Sequence, residues 1–175
     1  MISLILDLET TGINPTFDRI CEIACIVTDW KSVYAVLSTF VNPGFAFHNE
    51  TNGLSLKECG NAPSFRDLAV LGLTGFLSLA DEYVGHNLAF DLRFLRREMA
   101  FFNLHVPLRP TYDTLRMERG TLQEVCMRRK IDVSDVTWHT ALGDCVAAFR
   151  LAQQLKRERI VDESDVATGF SPVPR

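Results

Sequence analysis

The sequence predicts an α/β sandwich built on a mixed β-sheet. Two observations carry that prediction. Three apolar, strand-like segments come first, and helical periods alternating with short strands follow them. The chain is also the right size for one core, because 175 residues of which 47% are hydrophobic fill one compact domain and hardly two.

Taken in order, residues 2–8 form an apolar run that stops at Thr10-Thr11-Gly12, as a buried strand does before a turn. Residues 19–29, rich in Ile, Val and Cys, read as a second strand and residues 33–41 as a third. Lys31-Ser32 is short enough to be the turn between them, which predicts an antiparallel hairpin. Asn42-Pro43-Gly44 opens a loop expected to run to residue 63. Ser64 is placed to N-cap a helix over 65–79, and 82–85 reads as a short strand. Asn87 is placed to cap a helix over 88–103. A short strand at 111–113 precedes a helix ending near 129, and a last helix covers 141–158. Residues 1–160 are expected to form the folded domain, with 161–175 a polar, flexible tail ending Ser-Pro-Val-Pro-Arg.

Composition narrows the function classes. A formal net charge of -4 lacks the basic signature of passive nucleic-acid binders. It does not exclude a nucleic-acid substrate, because bound divalent cations reverse the local field at a site. The five cysteines, Cys21, Cys25, Cys59, Cys126 and Cys145, are odd in number and contain no C-x-x-C pair. That argues against a disulfide framework or a structural zinc site, and reduced, buried thiols suit the cytoplasm. The apolar N-terminal run is too short for a signal peptide, and no stretch is apolar enough to span a membrane.

Chemistry shows first at the end of the first strand, Asp7-Leu8-Glu9. Strand side chains alternate, so Asp7 and Glu9 share one face while Leu4, Leu6 and Leu8 take the other. Two adjacent carboxylates repel unless a cation lies between them. The plain alternative is a polar strand end in solvent, but the apolar residues before Asp7 put this strand in the core. Asp91 falls on the inward stripe of Leu88, Leu95, Met99 and Phe102, where an unpaired acid is costly. Its plain alternative is a favourable charge in the first helical turn. Asp144 likewise begins the stripe of Ala148, Leu151 and Leu155, and His139 lies just before that helix. A lone histidine is more often structural, but this one stands beside an inward acid. Four inward acids on three elements suit hard cations, two Mg²⁺ or Mn²⁺ rather than one zinc, and point to metal-assisted hydrolysis. An imidazole with an ordinary pKa of about 6.5 can accept a proton from water at neutral pH.

At these residues the sequence resembles the DEDDh exonuclease family of the ribonuclease H-like superfamily. Its three motifs are matched by residues 5–12 ending Asp7-Leu8-Glu9-Thr10-Thr11-Gly12, by residues 85–91 with Asn87, Phe90 and Asp91, and by His139-Thr140-Ala141-Leu142-Gly143-Asp144. Asp18-Arg19-Ile20-Cys21-Glu22-Ile23 and Thr111-Tyr112-Asp113-Thr114-Leu115 add a likeness to the branch of proofreading subunits of bacterial DNA polymerase III. The resemblance implies a ribonuclease H-like fold with a mixed, twisted sheet of roughly five strands and helices around it. It implies that Asp7, Glu9, Asp91 and Asp144 hold two ions, with His139 as general base. The Thr10-Thr11-Gly12 turn would hold the terminal nucleotide, with Asn87 and Phe90 beside it. The implied activity is 3′→5′ removal of nucleoside monophosphates, on single-stranded DNA before RNA, by a cytoplasmic enzyme. One departure is visible: relatives often carry a His-Gly-Ile-Thr-like segment where this chain has Asn52-Gly53-Leu54-Ser55.

The strand path is not legible. Arg93, Arg96 and Arg97, and Arg128, Arg129 and Lys130, read equally as solvated helix faces. Two other readings stand beside the leading one: an exoribonuclease on RNA or short oligonucleotides, and a non-catalytic binding or assembly subunit. A polymerase or another chain could supply a partner surface; the oligomeric state is open.

Overall fold

The computed structural model describes residues 1–168. Its sheet has five strands, β1 (Ser3–Thr10), β2 (Ile20–Thr28), β3 (Val33–Phe40), β4 (Glu82–Gly85) and β5 (Thr111–Asp113), in the order β3-β2-β1-β4-β5. β1 and β3 flank β2 in antiparallel pairs, while β1, β4 and β5 run parallel, so the sheet is mixed as expected. β2 is buried throughout, which is why its sequence reads as a nearly continuous apolar run.

Among the described residues eight helical segments surround it: α1 (Leu56–Cys59), α2 (Phe65–Leu68), a π-helical turn (Ala69–Leu73), α3 (Thr74–Leu79), α4 (Leu88–Phe101), α5 (Thr114–Met117), α6 (Leu122–Arg129) and α7 (Ala141–Thr168). Several boundaries differ from expectation. The 42–63 loop contains α1, whose capping box pairs Ser55 with Glu58. The 65–79 helix starts at Ser64 as expected but passes through the π-helical turn, where Gly72 weakens regular α-helix. Between 114 and 129 there are two helices, because Gly120 at φ +126° turns the chain and Thr121 with Glu124 starts α6 by a second capping box. The last helix runs to Thr168, so the expected tail from 161 begins as helix; residues 169–175 lie outside the described residues.

The sheet has two different faces. Leu4, Leu6 and Leu8 of β1, with Ile23 and Cys25 of β2, pack on the α2–α4 side. On the other face Ile5, Ala24, Ile26 and Val84 meet Ala141, Cys145, Ala148 and Ala152 of α7. These contact residues of α7 are small, so the helix axis lies close to the sheet. α6 covers the outer side of α7 through Val125, Cys126, Ala147 and Leu151. Each fully buried Leu or Ile contributes about 1.5–3 kcal/mol. All five cysteines are free and buried, as expected. No described helix is long and apolar enough to cross a membrane.

Candidate active site

The site forms where β1 outruns its parallel neighbour. β4 pairs with β1 only through Ser3, Leu4 and Ile5, so among the described residues the C-terminal half of β1 has β2 on one side and no strand on the other. Asp7 and Glu9 project from this half toward α7. The residue opposite Asp7 on β2 is Ala24, whose small side chain leaves room in front of the carboxylate.

α7 brings the third acid. Its first turn rests on the loop before it so closely that a Cβ at Gly143 would lie 2.0 Å from the Thr137 carbonyl oxygen; only glycine fits. Thr140 holds this turn, accepting the Gly143 N–H on its hydroxyl and the Asp144 N–H on its carbonyl. Asp7, Glu9 and Asp144 thereby each present an oxygen within 4.8 Å of the others. Among the described residues Asp144 Oδ1, a buried atom, has no hydrogen-bond partner, an arrangement costly unless something positive completes it.

Asp91 stands beside this trio but outside the 4.8 Å group. It is 4% exposed, in the first turn of α4, and its Oδ1 accepts the Leu8 N–H at 3.2 Å. Electrostatics tie the four together. Burial, then the charges of Asp91, Asp144, Glu9 and Glu22, hold the Asp7 carboxyl well above its ordinary range. Burial also raises Asp91, with the Leu8 N–H opposing. Burial pushes Asp144 up to about 6 against the opposing pull of His139. Glu9 is raised by burial and restrained by a hydrogen bond from Asn52. A cluster of carboxylates that are all hard to ionise together, with an orphaned oxygen among them, fits the oxygen-ligand preference of a hard divalent cation.

His139 is exposed in the loop before α7 with φ +60°, and its charge acts on both Asp144 and Glu9. The expected nucleotide-binding turn is held by its own hydrogen bonds. Thr10 Oγ1 donates to the Gly12 carbonyl at 2.5 Å, and Thr11 Oγ1 accepts the Arg19 N–H at 3.0 Å. A Cβ at Gly12 would meet the Asp18 carboxylate at 2.5 Å. Asn87 corrects an expectation. It precedes α4 in the left-handed conformation, φ +65°, and its side chain caps nothing; instead Asp113 Oδ1 accepts its backbone N–H. Asn is among the few non-glycine residues that adopt this conformation readily. Phe90 is half-buried, packing on Phe94 with Arg93 over its ring.

Two residues with no role assigned from sequence belong here. Glu22, opposite Glu9 on β2 and 6% exposed, accepts the Ala141 N–H at the start of α7. Its signal was an acid inside an otherwise apolar strand. Asn52 donates to Glu9 Oε2 at 2.8 Å.

A family model described as an exonuclease, of the RNase T type, matches residues 4–152. The chain belongs to this exonuclease family. It is 29% identical over 163 residues to the DNA polymerase III subunit epsilon of Buchnera aphidicola, covering 81% of this chain and 67% of that protein. It is 26% identical over 172 residues to the PolC-type DNA polymerase III of Oceanobacillus iheyensis, where the match covers 90% of this chain but 12% of the much longer relative. Among solved structures, E. coli exonuclease I in complex with a dA16 oligonucleotide superposes with a TM-score of 0.78 at 17% identity, over 93% of this chain and 42% of that one. Exonuclease X in complex with 5′-overhanging duplex DNA gives 0.64 at 22% identity, over 89% and 92%. The fold is thus the expected ribonuclease H-like one, and the matched span contains the segments that carry Asp7, Glu9, Asp91 and Asp144.

Proposed function

We propose that this chain is a metal-dependent 3′→5′ exonuclease that releases nucleoside 5′-monophosphates from single-stranded DNA in the cytoplasm. The observation that carries the reading is the convergence of Asp7, Glu9 and Asp144 within 4.8 Å, with Asp144 Oδ1 buried and unpaired. The exonuclease family and the fold shared with DNA-bound exonucleases support it.

Asp7, Glu9 and Asp144, joined by Asp91, would hold two Mg²⁺ or Mn²⁺ ions. Such ions, when bound, polarise a phosphodiester and offset the charge that develops on the attacking and leaving oxygens. Every other part belongs to the chain itself. Asp91 Oδ1 accepts the Leu8 N–H and Glu9 Oε2 accepts the Asn52 amide, and these bonds hold the two carboxylates in place. His139, free in solvent next to Asp144, accepts the proton of the attacking water on its imidazole ring. The water oxygen bonds to phosphorus, the bond from phosphorus to the preceding 3′-oxygen breaks, and that oxygen takes a proton from solvent water and leaves as the new 3′-hydroxyl. The Thr10-Thr11-Gly12 turn, with Asn87 and Phe90, holds the terminal nucleotide against this machinery. A polymerase chain is the natural protein partner, given the polymerase relatives.

The test uses 5′-labelled single-stranded DNA and RNA of one sequence, with Mg²⁺, with Mn²⁺, and with EDTA. A metal-dependent ladder that shortens from the 3′ end, faster on DNA, is the expected result. Faster shortening of RNA would reverse the sugar preference, and cleavage of a circular single strand would replace the exonuclease reading with an endonuclease one.

A further inference from the structure

The loop between β3 and α1 ends in a tight turn that clasps the end of β1. Asn49 and Asn52 both reach it. Asn49 Nδ2 donates to the Thr10 carbonyl at 2.8 Å while its Oδ1 accepts the Thr51 N–H at 2.9 Å. Asn52 makes a parallel set: its Oδ1 accepts the Leu54 N–H at 3.0 Å, and its Nδ2 donates to the Thr10 carbonyl at 3.3 Å. The two asparagines differ in one contact. The Asn52 amide also donates to Glu9 Oε2, at 2.8 Å.

That contact leaves no freedom at Asn52. An amide has two N–H donors and one carbonyl oxygen with which to face the turn, and all are engaged, so its orientation is fixed. A flipped amide would set its oxygen against the Glu9 carboxylate and the Thr10 carbonyl. Glu9 in turn has one oxygen held, while its carboxylate supplies a ligand atom to the Asp7–Asp144 group. A glutamate side chain has three rotatable bonds, and an unrestrained one next to two other carboxylates would swing away from them. Groups that orient a ligand without touching the metal commonly govern affinity as strongly as some ligands do.

We infer that Asn52 is a positioning residue for the metal centre, holding the Glu9 carboxylate in the orientation that completes the cation site. This rests on the reading of Asp7, Glu9 and Asp144 as metal ligands. It gives a role to a residue that stands where relatives often carry a histidine: a neutral amide, fixed by its own turn, grips the ligand.

The experiment measures Mn²⁺ binding to the full chain by isothermal titration calorimetry, without substrate. Asn52→Ala removes the contact to Glu9 together with the turn contacts; Asn49→Ala removes matching turn contacts and leaves Glu9 held. Asn52→Ser is the fold-preserving variant, because a serine hydroxyl can still accept the Leu54 N–H but is too short to reach Glu9. The dissociation constant for Mn²⁺ should rise about 10-fold to 100-fold in Asn52→Ala and Asn52→Ser. In Asn49→Ala it should stay within about twofold of the unmodified chain, whatever melting temperature is lost. Equal weakening in the Asn49 and Asn52 variants would assign the effect to the turn and overturn the positioning role, as would wild-type affinity in Asn52→Ser. Failure of the unmodified chain to bind Mn²⁺ would instead strike at the metal-site reading beneath it.

Discussion

The Asp91 carboxylate accepts the Leu8 N–H across 3.2 Å, at the point where β1 has lost its parallel neighbour. A residue on one helix thus completes the hydrogen bonding of a strand, and its charge acts on Asp7 of the same strand. The two duties can be separated. Asp91→Ala leaves the buried Leu8 N–H without a partner, at about 1–3 kcal/mol, and also empties the acid position. Asp91→Asn keeps a carbonyl oxygen for Leu8 and removes only the charge. Urea unfolding should therefore show Asp91→Asn within about 1 kcal/mol of the parent, while both variants lose nuclease activity. Equal destabilisation by the two would show that Leu8 does not depend on this acceptor.

His139 is expected to act on rate and not on metal. The backbone there has φ +60°, which asparagine tolerates, so His139→Asn changes the ring without forcing the loop. A general base contributes about 100-fold to 10,000-fold. The substitution should lower kcat by that order and leave the Mn²⁺ affinity unchanged. A variant that loses Mn²⁺ binding with residual turnover intact would make His139 a structural or ligand residue.

Arg19 and Glu98 join the β1–β2 loop to α4 by two hydrogen bonds of 2.5 Å, with the Glu98 side chain 2% exposed. Glu98 also accepts the Ile20 N–H at 3.3 Å where β2 begins. Removing one partner of such a pair strands the other. Glu98→Ala should cost about 3 kcal/mol, the low end of the buried range because Arg19 keeps access to water. Denaturant titration of the two chains settles it; a loss under about 1 kcal/mol would mean the pair is screened like a surface one.

Much of this site was legible in the sequence because its signals are local. Asp7 and Glu9 announce themselves by strand alternation, and Asp91 and Asp144 by acids on apolar stripes. The hairpin of β2 and β3 followed from the short gap between them. Other features depend on distant partners. Asn87 looks like a cap, yet its role is set by Asp113 from β5, 26 residues away. Asn52 meets Glu9 across 43 residues, and nothing at either position alone indicates it. Glu22 was visible as an acid in a buried strand, but its partner, the first N–H of α7, is 119 residues off. The capping boxes of α1 and α6, by contrast, were written locally as Ser55-x-x-Glu58 and Thr121-x-x-Glu124.

The carboxylate cluster also sets how stability responds to pH and metal. Asp144 has a folded pKa of about 6 against an ordinary 3.8, and Asp7 and Asp91 are raised in the same direction. A folded state with raised carboxyl pKa values binds protons more tightly than the unfolded chain. The stability this brings is full below the ordinary pKa and is lost as pH rises through about 6. In EDTA, the melting temperature should therefore fall between about pH 4.5 and pH 7, a window above that in which the exposed, Arg150-paired Asp135 titrates, near 2. Mg²⁺ should reverse the fall at neutral pH, adding about 2.7 kcal/mol at 100 times its dissociation constant. Asp7→Asn removes one of the repelling charges and one ligand together. It should melt higher than the parent in EDTA at neutral pH, gain less from Mg²⁺, and cleave at least about 100-fold more slowly. A parent whose metal-free melting temperature is flat or rising across that window would contradict the cage of buried acids.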